Sequence, residues 1–245
     1  MTIAKEPNPS ISISEDDEPL ETALHLEQIS LLLTSLELFW DDRNDFFAAG
    51  NLTIYYSPRQ VKSEDSSGLD FFVVLDTERS PRKSWVVWQE NHKFPNIIVE
   101  FLSPSTAKVD KTTQKTLYQD TFSTPEYFWF NLYNSLEFAG FRLQNGKYEP
   151  IKPNAQGYLW SQELGLYLGS HEGFIRYFTL EGELVFSPQE DLAESRQQAA
   201  MEAVMREYAE QRAIQAEQRA VAETQKMAAL LAKLRELNID IDSLL

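Results

Sequence analysis

The sequence predicts a mixed α/β domain followed by a long C-terminal helix. Short apolar runs, rich in β-branched and aromatic residues and bounded by turn residues, recur from about residue 52 to residue 186 and read as strands. Two stretches, 21–40 and 108–120, carry helical rather than alternating spacing. Beyond Pro188 glycine and proline vanish and Ala, Glu, Gln and Arg dominate through Leu237.

The elements follow in order. Residues 1–20 are polar and acidic, with Pro7, Pro9 and Pro19, and form a disordered acidic arm. Leu24, Ile29, Leu32, Leu33, Leu36 and Phe39 then mark one face of a helix that Thr22 caps. Gly50-Asn51 is a turn before the strand Leu52–Tyr56. The loop Asp65-Ser66-Ser67-Gly68 leads into the strand Asp70–Leu75, and Trp85–Trp88 is the next strand. Phe94-Pro95-Asn96 opens the strand Ile97–Leu102, which ends at Ser103-Pro104 because proline cannot continue a central ladder. Lys108–Asp120 is a helix packing through Val109, Leu117 and Phe122. Tyr127–Asn131 and Leu136–Leu143 are strands joined at Tyr133-Asn134-Ser135, and short strands follow to Phe186. The chain thus divides into an arm (1–20), a domain (21–186) and a helical extension (187–245).

In the extension Ala-Glu-Gln-Arg-Ala occurs at Ala209–Ala213 and again seven residues on at Ala216–Ala220. Positions Ala209, Ala213, Ala216, Ala220, Glu223, Met227, Leu230, Leu234 and Leu237 step by three and four, a coiled-coil seam. Its alanine part buries little, about 0.8 kcal/mol for each methylene-sized group, so the leucine end dominates. Self-association into a dimer through this helix is the expectation, against a solvated single helix.

Composition narrows the chemistry. With no cysteine, disulfides and cysteine catalysis are excluded, and a reducing cytoplasm is the expected compartment. With only three histidines, His25, His92 and His171, a multi-histidine zinc site is not expected. No apolar run is long enough for a membrane span, and no signal-peptide pattern opens the chain. The net charge of −16 repels nucleic acid unless a local basic patch or a metal overrides it. Bases do cluster, at Arg79, Arg82 and Lys83 and at Lys108, Lys111 and Lys115.

The chemistry centres on two acids. Asp70 opens Asp70-Phe71-Phe72-Val73-Val74-Leu75, and Glu100 lies inside Ile97-Ile98-Val99-Glu100-Phe101-Leu102. A carboxylate in a buried strand is costly unless its charge is compensated. Two of them in neighbouring strands suit a shared Mg²⁺ or Mn²⁺, which takes oxygen ligands. The helix after the Glu100 strand offers Lys111, Gln114 and Lys115 to position a water. Other residues read as structural. His25 is a surface or cap residue, Asp76 and Glu78 a solvated turn, and Trp85, Trp88 and Trp129 packing. Ser103 and Ser105 lack a histidine at a telling spacing, and no glycine-rich phosphate loop is present, so serine hydrolysis and ATP use are not indicated.

Here the residues carry a resemblance. Gly68-Leu69-Asp70-Phe71-Phe72-Val73-Val74 resembles the Pro-Asp strand of the PD-(D/E)XK nuclease superfamily. Glu100-Phe101-Leu102-Ser103-Pro104-Ser105-Thr106, Asp110, Tyr118 and Thr124-Pro125-Glu126-Tyr127-Phe128-Trp129 resemble its Uma-type branch of restriction endonucleases. The resemblance implies a restriction-endonuclease-like mixed central sheet flanked by helices. It also implies metal-dependent hydrolysis of DNA phosphodiesters, with Asp70 and Glu100 as metal ligands. The chain departs from the pattern at Leu69, where the family carries proline, and at Gln114, where it carries lysine. Gln114 orients water in the family's lysine position, or Lys115 takes that task after a one-residue rotation of the helix, roughly 100°. The family's N-terminal acidic segment is missing, so Glu21 or Glu27 supplies any extra acid. The alternative function is a scaffold that has lost catalysis and serves as an oligomerising or binding module.

Overall fold

A computed structural model of the chain describes residues 23–57, 66–102 and 110–236. The acidic arm, Thr22, Glu21, the Ser103–Thr106 strand end, Lys108 and the seam residue Leu237 lie outside the described residues. The chain forms two compact units, Met1–Pro188 and Gln189–Leu245.

In the first unit helix α1 (Ala23–Phe39) precedes strands β1 (Phe46–Tyr55), β2 (Ser66–Leu75), β3 (Trp85–Val86) and β4 (Ile97–Leu102). A helical stretch, α2, follows. It runs through Asp110–Gln114 with π-type turns, Lys115–Leu117 with α-type turns and Tyr118–Phe122 again with π-type turns. Strands β5 (Glu126–Asn131), β6 (Phe138–Gln144) and β7 (Lys147–Pro150) complete a seven-stranded sheet ordered β3-β1-β2-β4-β5-β6-β7. It is mixed: β4 and β5 pair parallel across the α2 connection, β1 and β3 pair parallel, and the remaining neighbours are antiparallel. Strands β8 (Leu159–Ser161), β9 (Leu166–His171) and β10 (Phe174–Phe178) form a second antiparallel sheet.

The mixed sheet sends alternate residues to two cores. Phe71, Val73, Ile97, Val99, Phe128 and Phe130 pack with Ile29, Leu32 and Leu36 of α1 and with Leu166, Leu168 and Tyr177 of the second sheet. On the other face Phe72, Val74, Ile98 and Tyr127 pack with Tyr118 and Phe122 of α2 and with Trp85. Strand β4 is buried at all six positions, as expected of a strand covered on both faces.

Several boundaries differ from the sequence expectation: β3 keeps only Trp85–Val86 of the expected Trp85–Trp88, and β6 begins at Phe138 rather than Leu136. Gly50-Asn51 lies inside β1 rather than at a turn. The glycine is needed because α1 crosses there: a Cβ on Gly50 would stand 2.0 Å from Ile29 Cγ2. Ser66–Gly68 belongs to β2 rather than to a loop, pairing with Tyr55, Ile54 and Thr53. Turn-forming residue types mislead here because tertiary contact, not local propensity, decides the conformation.

The second unit contributes α3 (Pro188–Glu236), 49 residues with none buried, about 73 Å at ~1.5 Å per residue. No described helix is long and apolar enough to cross a membrane.

Candidate active site

Strands β2 and β4 pair Phe71 with Val99 and Phe72 with Ile98. One further step sets Asp70 beside Glu100, as the two acidic strands led us to expect. Their carboxylates, however, are held from different layers. Leu69 and Phe72 are three positions apart yet share the α2-side core, which regular alternation forbids. The break falls opposite Asn51, whose φ of 49° is left-handed and which lies between the pairs Gly50–Phe71 and Leu52–Leu69. With β2 wrung at this point, Asp70 meets α1. Its Oδ1 is 3.1 Å from His25 Nε2. Its Oδ2 accepts the Phe101 backbone N–H at 2.7 Å. The His25 ring stands edge-on to Phe101, 5.5 Å between centroids.

Glu100 is 3% exposed. Its Oε1 accepts the Tyr118 hydroxyl at 2.5 Å. Tyr118 also hydrogen-bonds the side-chain oxygen of Gln114, four residues earlier on α2, and Ser67 Oγ is 3.4 Å from that oxygen. A phenol has one hydrogen, and the charged carboxylate is the stronger acceptor. Gln114 and Tyr118 are therefore complementary with the amide N–H turned toward the phenol oxygen. Burial first, and then the neighbouring Glu100 charge and hydrogen bond, push the Tyr118 phenol well above its ordinary range. Tyr118 consequently stays a hydrogen-bond donor through the physiological range. The π-type turns either side of Lys115 let α2 carry Gln114 and Tyr118 to one carboxylate, and such turns are frequent at functional sites.

The structure joins Gln114 to Glu100 through Tyr118 and sets Asp70 on the neighbouring strand, with its carboxylate held from the α1 side. It seats Lys115 elsewhere: Nζ lies 3.3 Å from the Phe141 ring centroid on β6, a cation–π contact, and burial lowers the ammonium pKa. The Lys111 side chain lies outside the described residues. The Arg79 and Arg82 guanidiniums are held in local contacts. Arg79 is 3.4 Å from Glu37 and 5.0 Å from the Phe46 ring centroid; Arg82 is 2.6 Å from Glu90 and stacks near Phe47 and Trp85. Phe46 pairs with Leu75, five residues beyond Asp70 and roughly 16 Å along β2. These guanidiniums serve the opposite strand end.

His25 and Ser67, and the role of Tyr118 as donor to Glu100, are what sequence reasoning missed. His25 was expected at the surface, yet its side chain is only 17% exposed. Glu27, the proposed extra acid, is exposed. The one available signal for His25 was its spacing, three before the buried Gln28 and four before Ile29 on the inward face.

The donor chemistry fits a hard divalent cation. Mg²⁺ uses one or two carboxylates and fills the rest of its shell with water and phosphate oxygens. Asp70 and Glu100 would supply those carboxylates, and with one hydrogen bond at Oδ2 and an ion-pair contact at Oδ1 the Asp70 carboxylate keeps lone pairs for an ion. Among the described residues no group of three or more His, Cys, Asp or Glu side chains is arranged to hold a metal.

A family model described as putative restriction endonuclease, Uma2, matches residues 16–171. Among solved structures the chain is similar to a putative nuclease belonging to DUF820 from Anabaena variabilis ATCC 29413, at 14% identity. That match covers 66% of this chain and 79% of the other, with a TM-score of 0.40. No curated protein matches.

Proposed function

The chain belongs to the Uma2 family of putative restriction endonucleases, and from that premise we propose that it is a divalent-metal-dependent endonuclease hydrolysing DNA phosphodiester bonds. The observation that supports the proposal is the placement of Asp70 and Glu100 on the adjacent strands β2 and β4, with a backbone N–H donating to Asp70 and the Tyr118 hydroxyl donating to Glu100. Asp70 and Glu100 are the residues that would hold Mg²⁺ or Mn²⁺. Such an ion, when bound, polarises a phosphodiester oxygen and lowers the pKa of water. Tyr118 holds Glu100 in place by its hydrogen bond, and Gln114 orients water in the position the family gives to lysine. The cation also offsets the net charge of −16 that otherwise repels DNA. The absence of cysteine suits a cytoplasmic setting.

Plasmid DNA incubated with Mg²⁺ or Mn²⁺ tests this. Wild type nicks or linearises it, and Asp70→Ala and Glu100→Ala abolish the cleavage. One observation favours a second proposal, a scaffold that binds without cutting: the described lysine beside Gln114 rests on Phe141. A folded wild type that cuts nothing with any divalent metal supports that alternative. Gln114→Lys raises activity in a weakened enzyme and does nothing in a binding module.

Self-association belongs to the proposal through α3, whose Met227, Leu230 and Leu234 end the heptad seam on a helix with no buried residue. A dimer allows one subunit for each DNA strand. Sedimentation at micromolar concentration should give a dimer for the full chain and a monomer after removal of 189–245. Identical masses per chain in both would refute this role.

A further inference from the structure

Resting on Asp70 as a cation ligand, we propose that His25 is a positioning residue of the site, fixing the Asp70 carboxylate in the orientation that takes the ion. An aspartate at a strand kink turns about two side-chain torsions unless something holds it. Here each oxygen has a neighbour: His25 Nε2 stands 3.1 Å from Oδ1 in an ion-pair contact, and the Phe101 N–H donates to Oδ2 at 2.7 Å. The two contacts form one clamp, because the imidazole itself packs edge-on against the Phe101 ring. A carboxylate offers about four lone-pair sites. One contact per oxygen therefore orients the group and leaves it able to ligate.

His25 is itself held by α1. One turn on, the buried Gln28 side chain pairs with the backbone of β10 like an extra strand residue, donating to Ile175 O at 3.0 Å and accepting Ile175 N–H at 2.8 Å. The close crossing at Gly50 fixes the same helix against β1. Helix, imidazole and carboxylate are thus one rigid path from the second sheet to the site. Hydrogen-bond partners of metal ligands commonly change metal affinity by about 10–100-fold when removed.

Calorimetric titration of the full chain with Mn²⁺ tests the role, with circular dichroism and melting curves confirming each fold. Wild type binds, and Asp70→Asn does not. His25→Ala weakens binding by about tenfold or more. His25→Gln, whose amide carries an N–H near the Nε2 position, recovers most of it. His25→Leu replaces the alanine variant if that one fails to fold. Wild-type affinity in a folded His25→Ala or His25→Leu, with Asp70→Asn defective, overturns the positioning role. Equal weakness of His25→Gln overturns it too, since ring packing alone would then explain the loss. Normal titration of Asp70→Asn, or no binding by wild type, instead overturns the cation assignment beneath it.

Discussion

Glu126 shows how a single residue joins the layers that frame the site. It is 1% exposed, and its Oε1 meets Arg142 Nη2 at 2.8 Å and the Gln162 N–H at 2.9 Å, while Oε2 accepts the Ser161 hydroxyl at 2.5 Å. Arg142 also donates to the Trp160 carbonyl at 2.7 Å, so one buried ion pair ties β5 and β6 to β8. The sequence marks Glu126 only as part of a family pattern, whereas its contacts give it a structural task. Removing one partner of a buried pair leaves the other uncompensated, at a cost of about 3–5 kcal/mol. Glu126→Ala should therefore lower stability by that order in urea unfolding. A change under 1 kcal/mol would contradict the clamp. Asp70 and Glu100 were legible as site candidates because a carboxylate within an apolar strand has few structural explanations. Their donors were not legible: His25 and Tyr118 come from other elements, and contact across 45 and 18 residues leaves no local trace.

At the scale of elements, periodicity revealed what alternation and helical spacing encode. Helix α1, the Asp70 and Glu100 strands and α3 all stand where the apolar pattern set them. The start of β1 was missed because Gly50-Asn51 reads as a turn, and β2 began earlier than Ser66-Ser67-Gly68 suggested. Both misses surround the kink that aims Asp70, so local rules failed where the site needs irregular backbone. Gly50→Ala tests the crossing directly. The added methyl meets the Ile29 side chain, and overpacking of this kind costs about 1–3 kcal/mol. The expected result is a lower unfolding midpoint in denaturant; an unchanged midpoint would mean that α1 shifts freely over β1.

For the whole molecule, the buried Tyr118 and Tyr177 and the half-buried Tyr148 shape the alkaline stability. Burial raises the phenol pKa of Tyr118, Tyr148 and Tyr177 in the folded state. The unfolded chain loses these protons near pH 10 while the folded one keeps them. Their stabilising contribution is therefore complete below about pH 10 and falls as pH rises above it. Urea midpoints should be insensitive to these groups between pH 7 and 9 and decline beyond pH 10, and Tyr177→Phe should soften the decline. A decline unaltered in that variant would remove Tyr177 from the explanation. In the proposed site one cation is shared between the Asp70 and Glu100 carboxylates, held from opposite sides of the sheet. A double-mutant cycle of Mn²⁺ binding tests it most directly, using Asp70→Asn, Glu100→Gln and the double variant. Sharing predicts that each single substitution removes binding almost as fully as both together. Independent, additive losses, or binding that survives either single change, would contradict a shared ion.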